Sequence, residues 1–448
     1  MHASVGMGAP DESEMLRSIG VRDVAELFED IPPEVRVDGI RVANGLNEME
    51  VRRELERLAA KNDVPRLTFC GGGHYQHYIP AAVRTIILRS EFITAYTPYQ
   101  PEISQGNLQA LFEYQSLVAE LTGMDAANSS MYDGTNALCE ALLMARRIRD
   151  GSRFLVPRAL HRNKRLALEA YAEAQGIRLV DVEFEEATGN IDLGALREKA
   201  SNPKVIGAYV EQPGLLGGVE ERMAEVREAT KDRVLVVGAD PMLLSLLKPP
   251  GDSGADIVVG DGGPVGMGLN LGGPLVGMFA TTKEHVRKLP GRVVGATRDL
   301  DGRLAYCLTL QTREQHIRRS KATSNICTNQ ALCALASAVY LSLMGRDGLR
   351  AVARKCYDNA HDLAAKISAI PGFKAPRFSS KFFCEFAAQF PAGSSKTVSR
   401  MRKRGIQAGL TAGDHVKGMK DVLLVSSTEV HRPVDIDEYA KTLKEASV

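Results

Sequence analysis

Two short stretches, VLVVGAD (234–240) and DIVVGD (256–261), decide the fold class. Each is a continuous apolar run rich in valine that stops on a glycine and an aspartate. Runs of this length, apolar on both faces, belong to strands covered from two sides. Working outward, VIGAYVEQP (205–213), RLVDVEF (178–184) and FLVP (154–157) precede them, and VGMFATT (276–282) follows. Helical or loop stretches separate the runs, which predicts an α/β domain around a mostly parallel sheet. The last two runs are close in sequence, which allows one antiparallel insertion.

Further out, NLQALFEYQSLVAELTG (107–123) places Leu108, Leu111, Phe112, Val118 and Leu121 on one helical face and ends at a glycine. Three helical segments are expected before it: DESEMLRSIG (11–20), VRDVAELFEDIP (21–32) and the charged LNEMEVRRELERLAAKN (46–62), with opposite-charge pairs such as Glu48 with Arg52. Beyond the sheet, a long apolar helix is expected from about residue 326, ICTNQALCALASAVYLSLMG. An amphipathic one (348–370), strand signals in KFFCEFAAQF and DVLLVSST, and a closing helix IDEYAKTLKEA follow it. The expected organisation is a helical N-terminal arm with an extended loop (1–106), a large α/β domain (107–325), and a connecting helix with a small α+β C-terminal domain (326–448).

A chain of 448 residues is too long for one core. Its net charge of +1 gives no reason to expect a nucleic-acid or membrane-surface partner. The start carries no basic, then apolar, leader pattern, and no apolar run approaches the roughly 20 residues of a membrane span. Seven scattered cysteines without CxxC spacing read as reduced, mostly buried thiols, and the expected compartment is the cytoplasm.

Four loops concentrate polar, aromatic and glycine residues. CGGGHYQHYIP (70–80) has a His-x-x-His spacing, but no Cys, Asp or Glu follows in the same loop to complete a metal site, so no metal is expected. ITAYTPYQPEISQGN (93–107) is stiffened by Pro98 and Pro101 and presents Tyr96, Tyr99, Gln100, Glu102, Ser104 and Gln105, a set suited to binding. In NSSMYDGTNALCEALLMA (128–145) a helix N-terminus could take a phosphate, although Asp133 favours capping. GDGGPVGMGLNLGGPLVGM (260–278) is glycine-rich but matches no nucleotide-binding pattern. His161, in VPRALHRN, reads as structural or surface.

Taken in order, MLRSIG, CGGGHYQHYIP, TPYQPEISQGNLQAL, MYDGTNALCEALLMA, NLGGPLVGMFATTKE, LTLQTREQHIRRSKATSNICTNQALCAL and STEVHRPVDID resemble the N-terminal half of glycine decarboxylase, the P-protein of the glycine cleavage system. The resemblance runs from about residue 14 to the C-terminus. It is to subunit 1 of the split, two-subunit format of glycine dehydrogenase (decarboxylating). It implies an aspartate-aminotransferase-like fold of the type I pyridoxal phosphate (PLP) enzymes, whose Schiff-base lysine holds the cofactor. It also implies a second subunit that carries PLP, and a lipoylated H-protein that accepts the aminomethyl group.

In that fold an aspartate at a strand end faces the pyridine nitrogen, the place Asp240 takes, and the lysine follows the next strand. The loop 260–278 contains no lysine; Lys248 comes before the strand and Lys283 after the following one. The expectation is a degenerate copy that binds no cofactor alone, has no Schiff-base residue, and keeps Asp240 as a relic. It would be inactive without subunit 2. Tyr96, Tyr99, Gln100, Glu102, Ser104 and Gln105 would then line one side of a shared active site, placing glycine or the lipoyl arm. Two alternatives stand beside this: a scaffold that only stabilises subunit 2, and a self-sufficient PLP enzyme with an unexpected lysine. The 260–268 loop, GDGGPVGMG, departs from the family where an acidic residue and a glutamine are expected.

Overall fold

The computed structural model describes residues 6, 8–37, 39, 41–310, 314–393 and 395–447. Most of the first seven residues, and 311–313 within the LTLQTRE stretch, lie outside the described residues. The chain forms two compact units, Met1–Val64 and Pro65–Val448. The expected boundary at residue 106 lies inside the second.

In the first unit, α1 (Ala9–Ile19) has proline in its first turn and stops at Gly20, whose φ of 88° only glycine adopts at no steric cost. The VRDVAELFEDIP segment makes no α-helix. It forms a 3₁₀ turn, Val24–Phe28, capped by the Asp23 carboxylate, because Pro32 and Pro33 leave too little chain for a second turn. In α2 (Glu48–Ala59), Asn47 and Glu50 form a reciprocal capping box. Its ion pairs join Arg52 to Glu56 and Arg57 to Glu54, rather than Glu48 to Arg52. Neither helix has a buried residue.

The second unit is built on a seven-stranded sheet: β1 (Ala126–Ala127), β2 (Arg153–Pro157), β3 (Arg178–Val182), β4 (Val205–Gln212), β5 (Val234–Ala239), β6 (Ile257–Asp261) and β7 (Gly277–Thr281). Their order is β1-β7-β6-β5-β4-β2-β3. Strands β2 to β6 are mutually parallel, and β7 is antiparallel to both β6 and β1. The strand period of two sorts the core into two layers. Leu235 and Val237 of β5 and Val258 of β6 face helices α3 (Gln105–Thr122), α6 (Leu193–Ala200) and α7 (Met223–Ala229). Val236, Ile257 and Val259 face α4 (Gly134–Ile148) and α5 (Arg162–Ala174). Each such fully buried aliphatic side chain is worth about 1.5–3 kcal/mol.

Two antiparallel strands, β8 (Val293–Arg298) and β9 (Leu304–Thr309), form a hairpin that the sequence reading did not anticipate. The long helix α8 (Ala331–Ser368) begins a little later than expected and is broken at Gly345 (φ 57°, ψ −172°). Past that break it packs Ala360, Leu363 and Ile367 against a small antiparallel sheet, ordered β10-β12-β11, and against the closing helix α9 (Pro433–Ala446). The strands are β10 (Glu385–Gln389), β11 (Leu410–Thr411) and β12 (Val422–Ser426). The glycine-rich loop after Phe69 is stitched to this sheet: Gly71 N–H donates to the Leu424 carbonyl (3.1 Å) and Ser426 N–H to that of Phe69 (2.9 Å). Among the described residues no helix is long and apolar enough to cross a membrane.

Candidate functional site

Strands β4, β5 and β6 run the same way, so their carboxyl ends open together, the usual place for a ligand in such a sheet. There Glu211, Gln212, Asp240, Gly260 and Asp261 line a cleft of about 770 Å³ including its open mouth. The amino ends of α4 (Gly134, Thr135) and α5 (His161, Lys164) form a second side, and the CGGGHY loop with Glu385 of β10 a third.

Asp240 follows β5. One of its carboxylate oxygens accepts from the Met242 (2.7 Å) and Leu243 (3.2 Å) amides, so it starts the next turn as well as facing the cleft. Burial raises its pKa, while His77 nearby favours the charged form. Asp261, the last residue of β6, accepts from Gly134 N–H at the start of α4 (3.2 Å) and from Gly263 N–H (2.8 Å). Asp133 caps the same helix through Asn136 N–H (2.7 Å). Two carboxylates thus occupy the helix start where the sequence left a phosphate open, and capping is the arrangement found.

The cleft does hold a lysine, from a part of the chain the sequence reading did not single out. Lys164 Nζ lies 2.7 Å from Glu211 Oε1, which also accepts from Tyr209 OH (2.9 Å). Burial pulls the Lys164 pKa down, but Glu211 outweighs it and holds the ammonium above its usual value. Beside it the His161 ring packs against that of His415, tilted by 33° with centroids 4.3 Å apart. Burial, then His415 and Lys164, bring the His161 pKa down to about 4. His161 has the structural part expected of it, its Nδ1 accepting from Asn163 N–H (3.3 Å) at the start of α5, and it is half-buried on the wall of the cleft.

Glu385 is fully enclosed. Its carboxylate accepts from Gly72 N–H (2.6 Å), Gly73 N–H (3.1 Å) and Tyr75 OH. Gly72 and Gly73 have φ of 95° and 84°, a conformation that lets two successive amides reach one carboxylate. No motif marks Glu385, Glu211 or Lys164 in the sequence. The available signal was an acid inside or ending an apolar strand, as in KFFCEFAAQF and VIGAYVEQP.

None of the six residues of the TPYQPEISQG region lines this cleft. They border α3, the β8–β9 hairpin and the start of α8. Tyr96 OH meets Thr328 Oγ1 (2.8 Å). Tyr99 OH accepts from Arg292 Nη2 (2.7 Å), whose buried guanidinium lies 5.0 Å from the ring centre. Gln105 holds Tyr306 at both its N–H and its carbonyl (2.9 Å each), tying α3 to β9. The Ser104 carbonyl accepts from Leu108 N–H (2.9 Å) at the start of α3. Gln100 and Glu102 are exposed, and their side chains make no hydrogen bond among the described residues.

Comparison with known proteins places this architecture. Residues 2–443 match the family model of the glycine cleavage system P-protein. The chain is 45% identical over 439 residues to the probable glycine dehydrogenase (decarboxylating) subunit 1 of Moorella thermoacetica, covering 97% of this chain and 98% of that protein. It is 46% identical over 437 residues to the corresponding protein of Prosthecochloris aestuarii, 97% of each being covered. It superposes on a crystal structure of glycine decarboxylase (P-protein) in inhibitor-bound form with a TM-score of 0.90, at 40% identity over 98% of this chain and 99% of that one. Glutamate decarboxylase of Lactobacillus brevis shares the fold at 13% identity (TM-score 0.68, 95% and 96% covered). The fold is that of the type I PLP enzymes. Matched along nearly its whole length, the chain belongs to the glycine cleavage system P-protein family, alongside its subunit 1 members.

Proposed function

We propose that this chain is the subunit of glycine decarboxylase that does not anchor the cofactor. It works in the cytoplasm with a subunit 2 that carries PLP and with a lipoylated H-protein that receives the aminomethyl group. The observation that carries this reading is the state of lysine in the cleft. Loop 260–278 has none, and Lys164 is charged and bound to Glu211. An ammonium held in an ion pair has no lone pair with which to attack an aldehyde. A phosphate at the start of α4 would meet Asp133 and Asp261, and Asp240 already serves the Met242 and Leu243 amides. The residues of this cleft do not fit an anchored PLP.

The chain's part is then to complete the partner's active site from outside this cleft. Tyr96, Tyr99, Gln100, Glu102, Ser104 and Gln105 are the candidates, on a segment held rigid by Pro98, Pro101 and the Arg292–Tyr99 contact. Orientation by fixed polar groups lowers a barrier without covalent chemistry.

The test is an absorbance spectrum of the purified chain with PLP, followed by borohydride reduction, alone and with subunit 2. A glycine–bicarbonate exchange assay with lipoylated H-protein runs beside it. Reducible PLP and exchange are expected only with the partner. PLP fixed to the isolated chain, with turnover of glycine, sinks the reading. Tyr99→Ala or Gln100→Ala should slow exchange by up to about 100-fold in an intact complex. If those variants lose assembly while activity per complex is unchanged, the scaffold reading replaces this one.

A further inference from the structure

The fold brings two possible ligands from elsewhere in the chain to His77, the second histidine of the His-x-x-His loop. His77 Nδ1 lies 2.8 Å from Glu429 Oε2, and Cys356 Sγ lies 3.1 Å from the same oxygen. One ligand atom from each of the three residues falls within 4.8 Å of the others. We propose that His77, Cys356 and Glu429 form a binding site for a zinc-class divalent cation.

Three observations support it. The donor set, one imidazole, one thiol and one carboxylate, is the mixture that borderline-soft ions such as Zn²⁺ and Co²⁺ take. Tetrahedral Zn²⁺ bonds imply ligand–ligand edges of about 3.3–3.6 Å, so the observed 2.8 and 3.1 Å need open by only about half an ångström. The ligands are also held in place by their surroundings. Thr428 Oγ1 donates to the Gln76 carbonyl (2.6 Å), and Asn359, one helical turn past Cys356, donates to the carbonyls of Thr428 (2.9 Å) and His431 (2.8 Å).

The second observation is charge. Glu429 is largely buried, and its partners are His77, Cys356 and the Tyr78 N–H (2.7 Å). No lysine or arginine pairs with it among the described residues. A buried carboxylate without a permanent cation calls for one. The third is His77 itself, whose ring is enclosed and whose Nε2 meets no partner. Among the described residues Glu429 is the ring's only hydrogen-bond partner, and the Tyr75 ring packs edge-on against it.

On binding, the cation takes the lone pairs of Nδ1, Sγ and a carboxylate oxygen; the thiol proton leaves to solvent, and the proton that Nδ1 gives to Glu429 is replaced by one on Nε2, the other tautomer of the neutral ring. The protein then supplies two negative charges to a dication, with a fourth position open to water. Such an ion would tie the loop whose Gly72, Gly73 and Tyr75 border the cleft to helix α8 and to the turn after β12.

The experiment uses the full chain, stripped with a chelator and titrated with Co²⁺. A thiolate-to-cobalt charge-transfer band saturating at one equivalent and displaced by Zn²⁺ is expected, with a melting midpoint that Zn²⁺ raises. Cys356→Ser should abolish the band, His77→Ala should weaken binding at least tenfold, and Cys327→Ser, at an exposed thiol, should leave it unchanged. Absence of the band in the unmodified chain overturns the site and leaves a plain hydrogen-bonded cluster. So does a band that survives Cys356→Ser. If Cys356→Ser does not fold by circular dichroism, Glu429→Gln with the unmodified chain decides, and full-strength binding in Glu429→Gln counts against it.

Discussion

At Glu385 a closed core and three donors act against each other on one carboxyl group. Burial outweighs the Tyr75, Gly72 and Gly73 hydrogen bonds and raises its pKa from 4.5 to about 7. Between those values the folded chain keeps a proton that the unfolded chain has released. Stability attributable to this group therefore falls as pH rises through that window. At 1.36 kcal/mol per unit the loss approaches about 3 kcal/mol. Denaturant titrations from pH 4 to 8 should show the unmodified chain losing stability relative to Glu385→Gln; parallel curves would contradict the assignment. Lys164 and Glu211 make a second prediction. Lys164→Met strands a buried carboxylate and should cost about 1–3 kcal/mol, less than a fully enclosed pair because Lys164 keeps some solvent contact. Adding Glu211→Met should recover most of it, read as the denaturation midpoint. Neither acid was legible beforehand, since one polar residue in an apolar strand carries no sign of what it will face.

Elements were easier to read than their breaks. The six apolar runs all became strands, because continuous valine-rich segments have few other ways to bury both faces. The hairpin of β8 and β9 escaped because VVGATR and LAYCLT are short and mixed, with Arg298 and Leu304 exposed. Capping was legible at Asp133, and Asp133→Ala should cost about 1 kcal/mol in thermal or urea unfolding. The interruption of α8 was visible as a glycine ending the apolar run, though its geometry was not. A Cβ at Gly345 would meet nothing within 4 Å, so Gly345→Ala tests backbone conformation alone. At φ 57° and ψ −172° it should lower stability by about 1–3 kcal/mol without changing helix content. No loss would mean that the break tolerates a side chain.

For the whole molecule, the alternation of strands and helices and the order of the family's motifs were enough for the architecture. Asp240 and the loops 70–80, 128–145 and 260–278 that border the cleft were legible one by one, but not their meeting with Lys164, Glu211 and Glu385, because these come from strands and a helix start far apart in sequence. The first unit lacks buried residues in its helices. Removing residues 1–64 should therefore leave the second unit's cooperative melt and far-ultraviolet circular dichroism per residue nearly unchanged. A broadened transition would show that the arm supports the fold. The Asp261–Gly134 contact also constrains what the cleft could be changed into. A single substitution that put a lysine into loop 260–278 would find the neighbouring helix start already satisfied by Asp261 and Asp133. Anchoring a cofactor in this cleft would need several changes at once, each useless until the others arrive. The capping carboxylates thus work as a ratchet, passing changes that keep the helix start filled and resisting those that would empty it.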